Sequence, residues 1–116
     1  MRALYAQDLA GRKLLISFQT AAEVRYGALW RRWGQPRLEF MERHLATAVE
    51  VPPHAELTNE WAMLRYECRL AGHAFQNKHH TADLWIAATA RLFNLPLITH
   101  DSGFQGVPGL DIVCHV

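Results

Sequence analysis

Short apolar runs and helical stripes alternate along this chain. Leu14-Leu15-Ile16-Ser17 follows the basic pair Arg12-Lys13 and is too short for a helix, so it predicts a buried strand. Thr20-Ala21-Ala22-Glu23 opens a helix in which Val24, Gly27, Ala28 and Trp30 keep helical spacing until Gly34. Pro36 suits the first turn of a second helix carrying Leu38, Met41, Leu45 and Ala48. Val49-Glu50-Val51 alternates and stops at Pro52-Pro53, which predicts a short strand. Residues 54–70 predict a helix with Leu57, Trp61, Leu64 and Cys68 on one side and Gly72 as its stop. After a polar loop over 73–80, Thr81 caps a helix that runs to about Phe93, with Asn94 as its stop. Leu95-Pro96-Leu97-Ile98-Thr99 and Leu110-Asp111-Ile112-Val113 are the last strands. Residues 3–9 read as the tail of a short helix ended by Gly11.

Strands alternating with helices predict an α/β sandwich whose mostly parallel sheet is flanked by helices, because parallel strands need crossovers. Ligands of such sheets bind beyond the carboxyl ends of the strands. That rule selects Thr20 to Glu23 after the first strand, and His100-Asp101 after the later one.

At 116 residues the chain is expected to form one domain, 1–116. Half its residues are hydrophobic and 20% are charged, which excludes a wholly disordered chain. No apolar run reaches the roughly 20 residues of a membrane-spanning helix, and residues 1–8 lack the apolar region of a signal peptide. Cys68 and Cys114 lie outside any CxxC spacing, so they predict reduced thiols in a cytoplasmic protein rather than a zinc knuckle. A net charge of +1 does not argue for nucleic acid, yet Arg25, Arg31, Arg32, Arg37 and Arg43 crowd one third of the chain. They form either a solvated face or a contact for RNA or an acidic partner.

Three acids carry the candidate chemistry, and each has a structural explanation of its own. Glu23 stands three residues after Thr20, the spacing of a capping box. Asp83 lies in the first turn of its helix, where an acid suits the dipole. Asp101 begins an Asp-Ser-Gly turn. Taken together, the three are expected to meet at one rim of the sheet, where a right-handed crossover would bring them. Converging carboxylates repel one another unless they share a cation, and hard ions such as Mg²⁺ take oxygen ligands of this kind. Paired ions of this type can hold the attacking and leaving oxygens of a phosphodiester. The seven histidines show no HxxxH or HxH spacing and read as polar loop residues, not zinc ligands. Trp30, Trp33, Trp61 and Trp85 read as core or subunit interface rather than base-stacking platforms.

Ile16-Ser17-Phe18-Gln19-Thr20-Ala21-Ala22-Glu23-Val24-Arg25-Tyr26-Gly27-Ala28 resembles the strand-to-helix segment of PIN-domain proteins, specifically the VapC-type toxins of toxin–antitoxin pairs. Ala82-Asp83-Leu84-Trp85-Ile86-Ala87-Ala88-Thr89-Ala90 is similar to their second acidic helix. Leu95-Pro96-Leu97-Ile98-Thr99-His100-Asp101, with Phe104 and Gly109-Leu110, resembles their closing segment. The resemblance implies a three-layer PIN-like sandwich and an endoribonuclease dependent on Mg²⁺ or Mn²⁺. It also implies a homodimer that is inhibited by a cognate antitoxin. It maps the second, third and fourth family acids onto Glu23, Asp83 and Asp101, as catalytic and metal-binding residues, and makes Thr99 a helper through its hydroxyl. Thr20 is a second helper, and Arg25, Arg31 and Arg32 are the candidates for RNA or antitoxin contact.

The chain departs from the family in two places. The family begins with a hydrophobic central strand ending in Asp, and no segment here fits it, since Asp8 stands in a helical context with Tyr5 and Leu9. Ala82 stands where many relatives have Asn or Asp. A fragment, a late start at Met1 or a decayed gene would each give the first pattern. The chain as numbered is therefore expected to cleave RNA poorly or not at all. The alternative is a non-catalytic PIN remnant that acts only by binding antitoxin or RNA. A domain binding a small phosphorylated ligand ranks last, because no Gly-rich phosphate loop supports it.

Overall fold

The computed structural model describes residues 3–5, 15–99 and 101–114. Its strands and helices are β1 (Ala3–Tyr5), β2 (Leu15–Ser17), α1 (Phe18–Trp30), α2 (Gln35–Leu45), β3 (Val49–Val51), α3 (Ala55–Ala71), α4 (Thr81–Leu92), β4 (Leu97–Thr99) and β5 (Ile112–Cys114). Single 3-10 turns at Ala74–Gln76 and Lys78–His80 join α3 to α4, and another at Ser102–Phe104 follows β4.

The sheet has the order β3-β2-β1-β4-β5. β2 pairs with β3 in parallel, as β4 does with β5. The centre runs the other way: β1 is antiparallel to both β2 and β4, with Ala3 opposite Thr99, Leu4 opposite Ile98 and Tyr5 opposite both Leu97 and Leu15. The helix predicted over residues 3–9 is thus corrected to a strand at 3–5, while residues 6–9 lie outside the described residues. β2 and β4 each offer an edge of N–H and C=O groups, and a strand between them satisfies both edges at once, which a single helical turn cannot. The α/β class holds, with parallel pairs on both flanks of a reversed centre.

Alternation along β2 shows why helices cover both faces. Leu15 packs against the core built by α3 and α4, around Leu57, Leu64, Leu84 and Leu97. Ile16, the next residue, joins the core built by α1 and α2, around Ala21, Ala28, Met41 and Leu45. Successive strand residues point to opposite faces, so one three-residue strand serves two helical layers. α4 is the most enclosed helix, with Leu84 and an unbroken buried run from Ile86 to Ala90.

Two helix starts differ from those predicted. Ser17, not Thr20, caps α1: its Oγ accepts the N–H groups of Gln19 at 3.0 Å and Thr20 at 3.2 Å. The cap therefore falls three residues earlier, and Glu23 stands a full turn too far along the helix to close a capping box. Thr81 is the first residue of α4 rather than its cap, and its Oγ1 donates to the Lys78 carbonyl at 2.6 Å. Two predicted stops hold, since Gly72 (φ 72°) and Asn94 (φ 54°) take the left-handed conformation that ends helices, but the helix predicted to run until Gly34 ends at Trp30, and Gly34 instead caps α2. Ser17→Ala removes the side-chain acceptor of two buried or half-buried N–H groups. It is expected to cost about 1 kcal/mol, read as a lower melting temperature.

Arg91 ties the α3–α4 layer to the loop before β5. Its guanidinium donates to Glu60 at 3.1 Å, to Glu67 at 3.0 and 2.7 Å, and to the Pro108 carbonyl at 3.2 Å. Gly109 must be glycine here, because its φ is +69° and a Cβ would meet Arg91 Cδ at 3.2 Å.

Candidate functional site

Thr20, Glu23, Asp83, Ile86, Thr99, Asp101 and Phe104 line one pocket of about 10 Å³, room for a single water. Topology puts them there. β2 ends at Ser17 and delivers Thr20 and Glu23 on the first turns of α1, β4 ends at Thr99 just before Asp101, and the first turn of α4 supplies Asp83. All three acids selected from the sequence, and both threonines, thus share one pocket at the carboxyl ends of β2 and β4.

The local environments of the acids differ. Glu23 Oε1 accepts Gln19 Nε2 at 3.5 Å, one turn back along α1. Asp83 Oδ2 lies 3.2 Å from His80 Nδ1, and the His80 ring stacks on Phe75 with centroids 5.2 Å apart. Asp101 Oδ1 accepts the Gly103 N–H at 2.8 Å, and the Asp101 N–H donates to Thr99 Oγ1 at 3.0 Å. The local roles predicted for Asp83 and Asp101 are thus present, and neither takes the side chain out of the pocket wall. Thr20 is 3% exposed, and its Oγ1 is buried without a hydrogen-bond partner among the described residues. A buried hydroxyl costs free energy until something bonds it, so a polar guest in this pocket fits the site.

The donor set is oxygen only: three carboxylates and two hydroxyls. That suits a hard divalent cation in kind. Among the described residues no three His, Cys, Asp or Glu side chains stand close enough together to form a finished metal centre. The acids are walls of one pocket rather than a closed cage.

The arginines divide. Arg25 spends its guanidinium inside the chain, on Glu42 at 3.1 and 3.2 Å and on Glu50 at 3.3 Å. The hydrogen bonds from Arg25 hold the Glu42 carboxyl below its ordinary range. Arg31 and Arg32 are exposed just past the end of α1, next to Leu29 and Trp30, which are 69% and 76% exposed. Cys68 is fully buried, and burial pushes its thiol pKa up, so it is no nucleophile. His100 and Asp8 lie outside the described residues.

Sequence reasoning missed His80 as a neighbour of Asp83, although the i, i+3 spacing signals it. It also missed Ile86 and Phe104 as apolar walls of the pocket. Ile86 follows Asp83 by three residues on the same helix face, which was readable. Phe104 had no such signal, because its place depends on the 3-10 turn after β4.

Among the described residues, no helix is long and apolar enough to cross a membrane. The family model for the PIN domain matches residues 1–110. A comparison with curated proteins finds no match. Among solved structures, the chain is similar to VapBC2 from Rickettsia felis bound to a DNA fragment from their promoter. The identity is 25% and the TM-score 0.72, over 86% of this chain and 73% of that one. It is similar to VapBC-1 from nontypeable Haemophilus influenzae at 25% identity and a TM-score of 0.74, over 94% of this chain and 79% of that one. VapBC-5 from Mycobacterium tuberculosis, a member of the VapBC family of toxin–antitoxin systems, matches at 29% identity and a TM-score of 0.65, over 85% and 79% of the two chains. With the family model spanning nearly the whole chain and this pocket at its strand ends, the chain belongs to the PIN-domain family, of the VapC type.

Proposed function

We propose that the chain is an endoribonuclease dependent on Mg²⁺ or Mn²⁺, with Glu23, Asp83 and Asp101 holding the metal. The observation that carries this is one pocket walled by three carboxylates and containing a buried hydroxyl, Thr20 Oγ1, that has no hydrogen-bond partner among the described residues. When bound, a divalent ion supplies positive charge to polarise the phosphodiester and to ease deprotonation of the attacking water. The chain's own residues do the rest. The acids fix where that charge sits, and each is held by its neighbour: Glu23 by Gln19, Asp83 by His80 and Asp101 by Gly103. Thr20 Oγ1 has a free bonding capacity with which to orient a water, and Thr99 fixes the backbone of Asp101. Ile86 and Phe104 exclude bulk solvent from one side, which strengthens every charge interaction inside.

The proposed partners are an RNA substrate, a cognate antitoxin and a second copy of the chain, in the cytoplasm. Arg31 and Arg32, beside exposed Leu29 and Trp30, are the proposed contacts for RNA or an acidic antitoxin segment; Arg25 supports that surface through Glu42 and Glu50.

One observation favours the non-catalytic reading. The central strand is Ala3–Tyr5, which carries no carboxylate, where the family's first acidic strand would lie. The two readings separate when an unstructured RNA is incubated with the chain and either Mn²⁺ or a chelator. The nuclease reading requires cleavage with the metal and none with the chelator. Intact RNA under both conditions, with RNA or antitoxin still bound, assigns the chain to binding alone.

A further inference from the structure

A second and larger cavity, of about 470 Å³, lies on α3 and is not used by the proposed chemistry. That is the size of a small-ligand site. Its lining is Trp61, Ala62, Arg65, Tyr66, Arg69 and Gln76, so it is rich in hydrogen-bond donors and contains no carboxylate. Arg65 is held in place: its Nε donates to the Gln76 carbonyl at 3.0 Å, and its guanidinium lies 5.5 Å from the centre of the Trp61 ring. Its remaining nitrogens have no carboxylate partner among the described residues. Arg69, one helical turn further on, is also in no ion pair among them. Trp61 Nε1 is a buried donor that nothing among the described residues accepts.

The acids of α3 do not neutralise this face. Of its three acids, Glu60 and Glu67 point the other way, to Arg91, and Glu56 lies on the side of Glu60 and Met63. The helix thus separates its charges, with two of its carboxylates paired to Arg91 and half-buried Arg65 and exposed Arg69 on the opposite side. Tyr66, 59% exposed beside those cations, adds an aromatic face.

We propose that this cavity is a subsite for single-stranded RNA, taking successive backbone phosphates on Arg65 and Arg69, one on each, and the adjoining base on Tyr66. This rests on the ribonuclease reading and extends it by naming where the strand is held away from the carboxylates. A groove of paired cations beside an exposed aromatic ring is the usual device for holding single strands without sequence preference. An acidic polypeptide would use the cations but leave the aromatic wall and the cavity's size unexplained. The cavity also connects to the carboxylate pocket through packed groups. Gln76 begins the short run to His80 and Asp83. Trp61 stacks on Trp85 at 5.2 Å, and Trp85 meets Phe18 edge-on at 5.4 Å, at the start of the helix bearing Thr20 and Glu23.

The test is binding of a fluorescent oligouridylate of about eight nucleotides to the full chain, with chelator present so that no cleavage occurs. The double variant Arg65→Gln, Arg69→Gln is expected to raise Kd about tenfold or more. It is also expected to lower the salt slope by about 1.4, since each phosphate neutralised on a single strand adds about 0.7 to that slope. Arg69→Gln alone changes only an exposed side chain; it keeps the parent's melting temperature and gives half the slope change. Tyr66→Ala weakens binding several-fold and leaves the slope unaltered. A parent chain that binds the oligonucleotide in this way but leaves RNA intact with Mn²⁺ counts against the nuclease reading alone. Parental Kd and slope in the double variant overturn the subsite. So does displacement of the oligonucleotide by polyglutamate at equal charge concentration, which assigns the face to an acidic polypeptide.

Discussion

On the nuclease reading, Asp83→Asn is expected to lower whatever RNA cleavage the chain shows with Mn²⁺ at least about a hundredfold while the chain stays folded. The substitution keeps the side chain's shape and takes away one of three negative charges around a pocket with room for one water. A divalent ion next to a neutral amide is held more weakly and in a different place, and mispositioning of the reacting groups alone costs on the order of a hundredfold. The structural penalty is small. Asp83 is in the first turn of α4, where its charge favours the helix dipole by well under about 1 kcal/mol when partly exposed. Its contact with His80 survives as a hydrogen bond to the amide oxygen. Cleavage rates on an unstructured RNA, with melting curves for both proteins, check this. A fall of less than about tenfold with an unchanged melting curve would show that Asp83 is not part of the metal site.

Arg91→Met is expected to destabilise the chain by about 3 kcal/mol, somewhat under the cost of breaking a fully buried pair, and to lower the melting temperature by about 12 °C. The Arg91 side chain is 16% exposed, and its partners Glu60 and Glu67 are 19% and 36% exposed. Removing the guanidinium leaves two partly buried carboxylates beside each other and strips the Pro108 carbonyl of its donor. A pH signature accompanies the loss. Hydrogen bonding from Arg91 holds the Glu67 carboxyl below its ordinary range. A carboxyl depressed in the folded state adds stability above its unfolded pKa of about 4.3 and gives it up as pH falls through the folded value. The parent and the variant therefore converge in stability below about pH 4. Equal stabilities at neutral pH would contradict the role given to Arg91.

The helices were legible because their apolar stripes are local. Leu57, Leu64 and Cys68 repeat at helical spacing and are all buried against α4. β1 was not legible, because the partners of Ala3, Leu4 and Tyr5 include Thr99, Ile98 and Leu97, nearly the whole chain away. Local propensity cannot anticipate a strand whose reason is two distant edges. The cap of α1 was misplaced for a different cause: Ser17 and Thr20 are both good caps, and only the end of β2 decides between them. The pocket was legible in outline, since strand ends in an α/β sheet mark sites. The arginines were the least legible. Arg25 and Arg91 find carboxylates 17 to 31 residues away, and charge composition says nothing about which cations remain for a partner.

The central claim is that Glu23, Asp83 and Asp101 act together as one site for a divalent cation. Its most direct measurement is calorimetric titration of Mn²⁺ into the chain and into Glu23→Gln, Asp83→Asn and Asp101→Asn. Saturable binding to the parent, weakened about tenfold or more by each single substitution and absent from the triple variant, is the result predicted. A triple variant that binds Mn²⁺ as the parent does would contradict it.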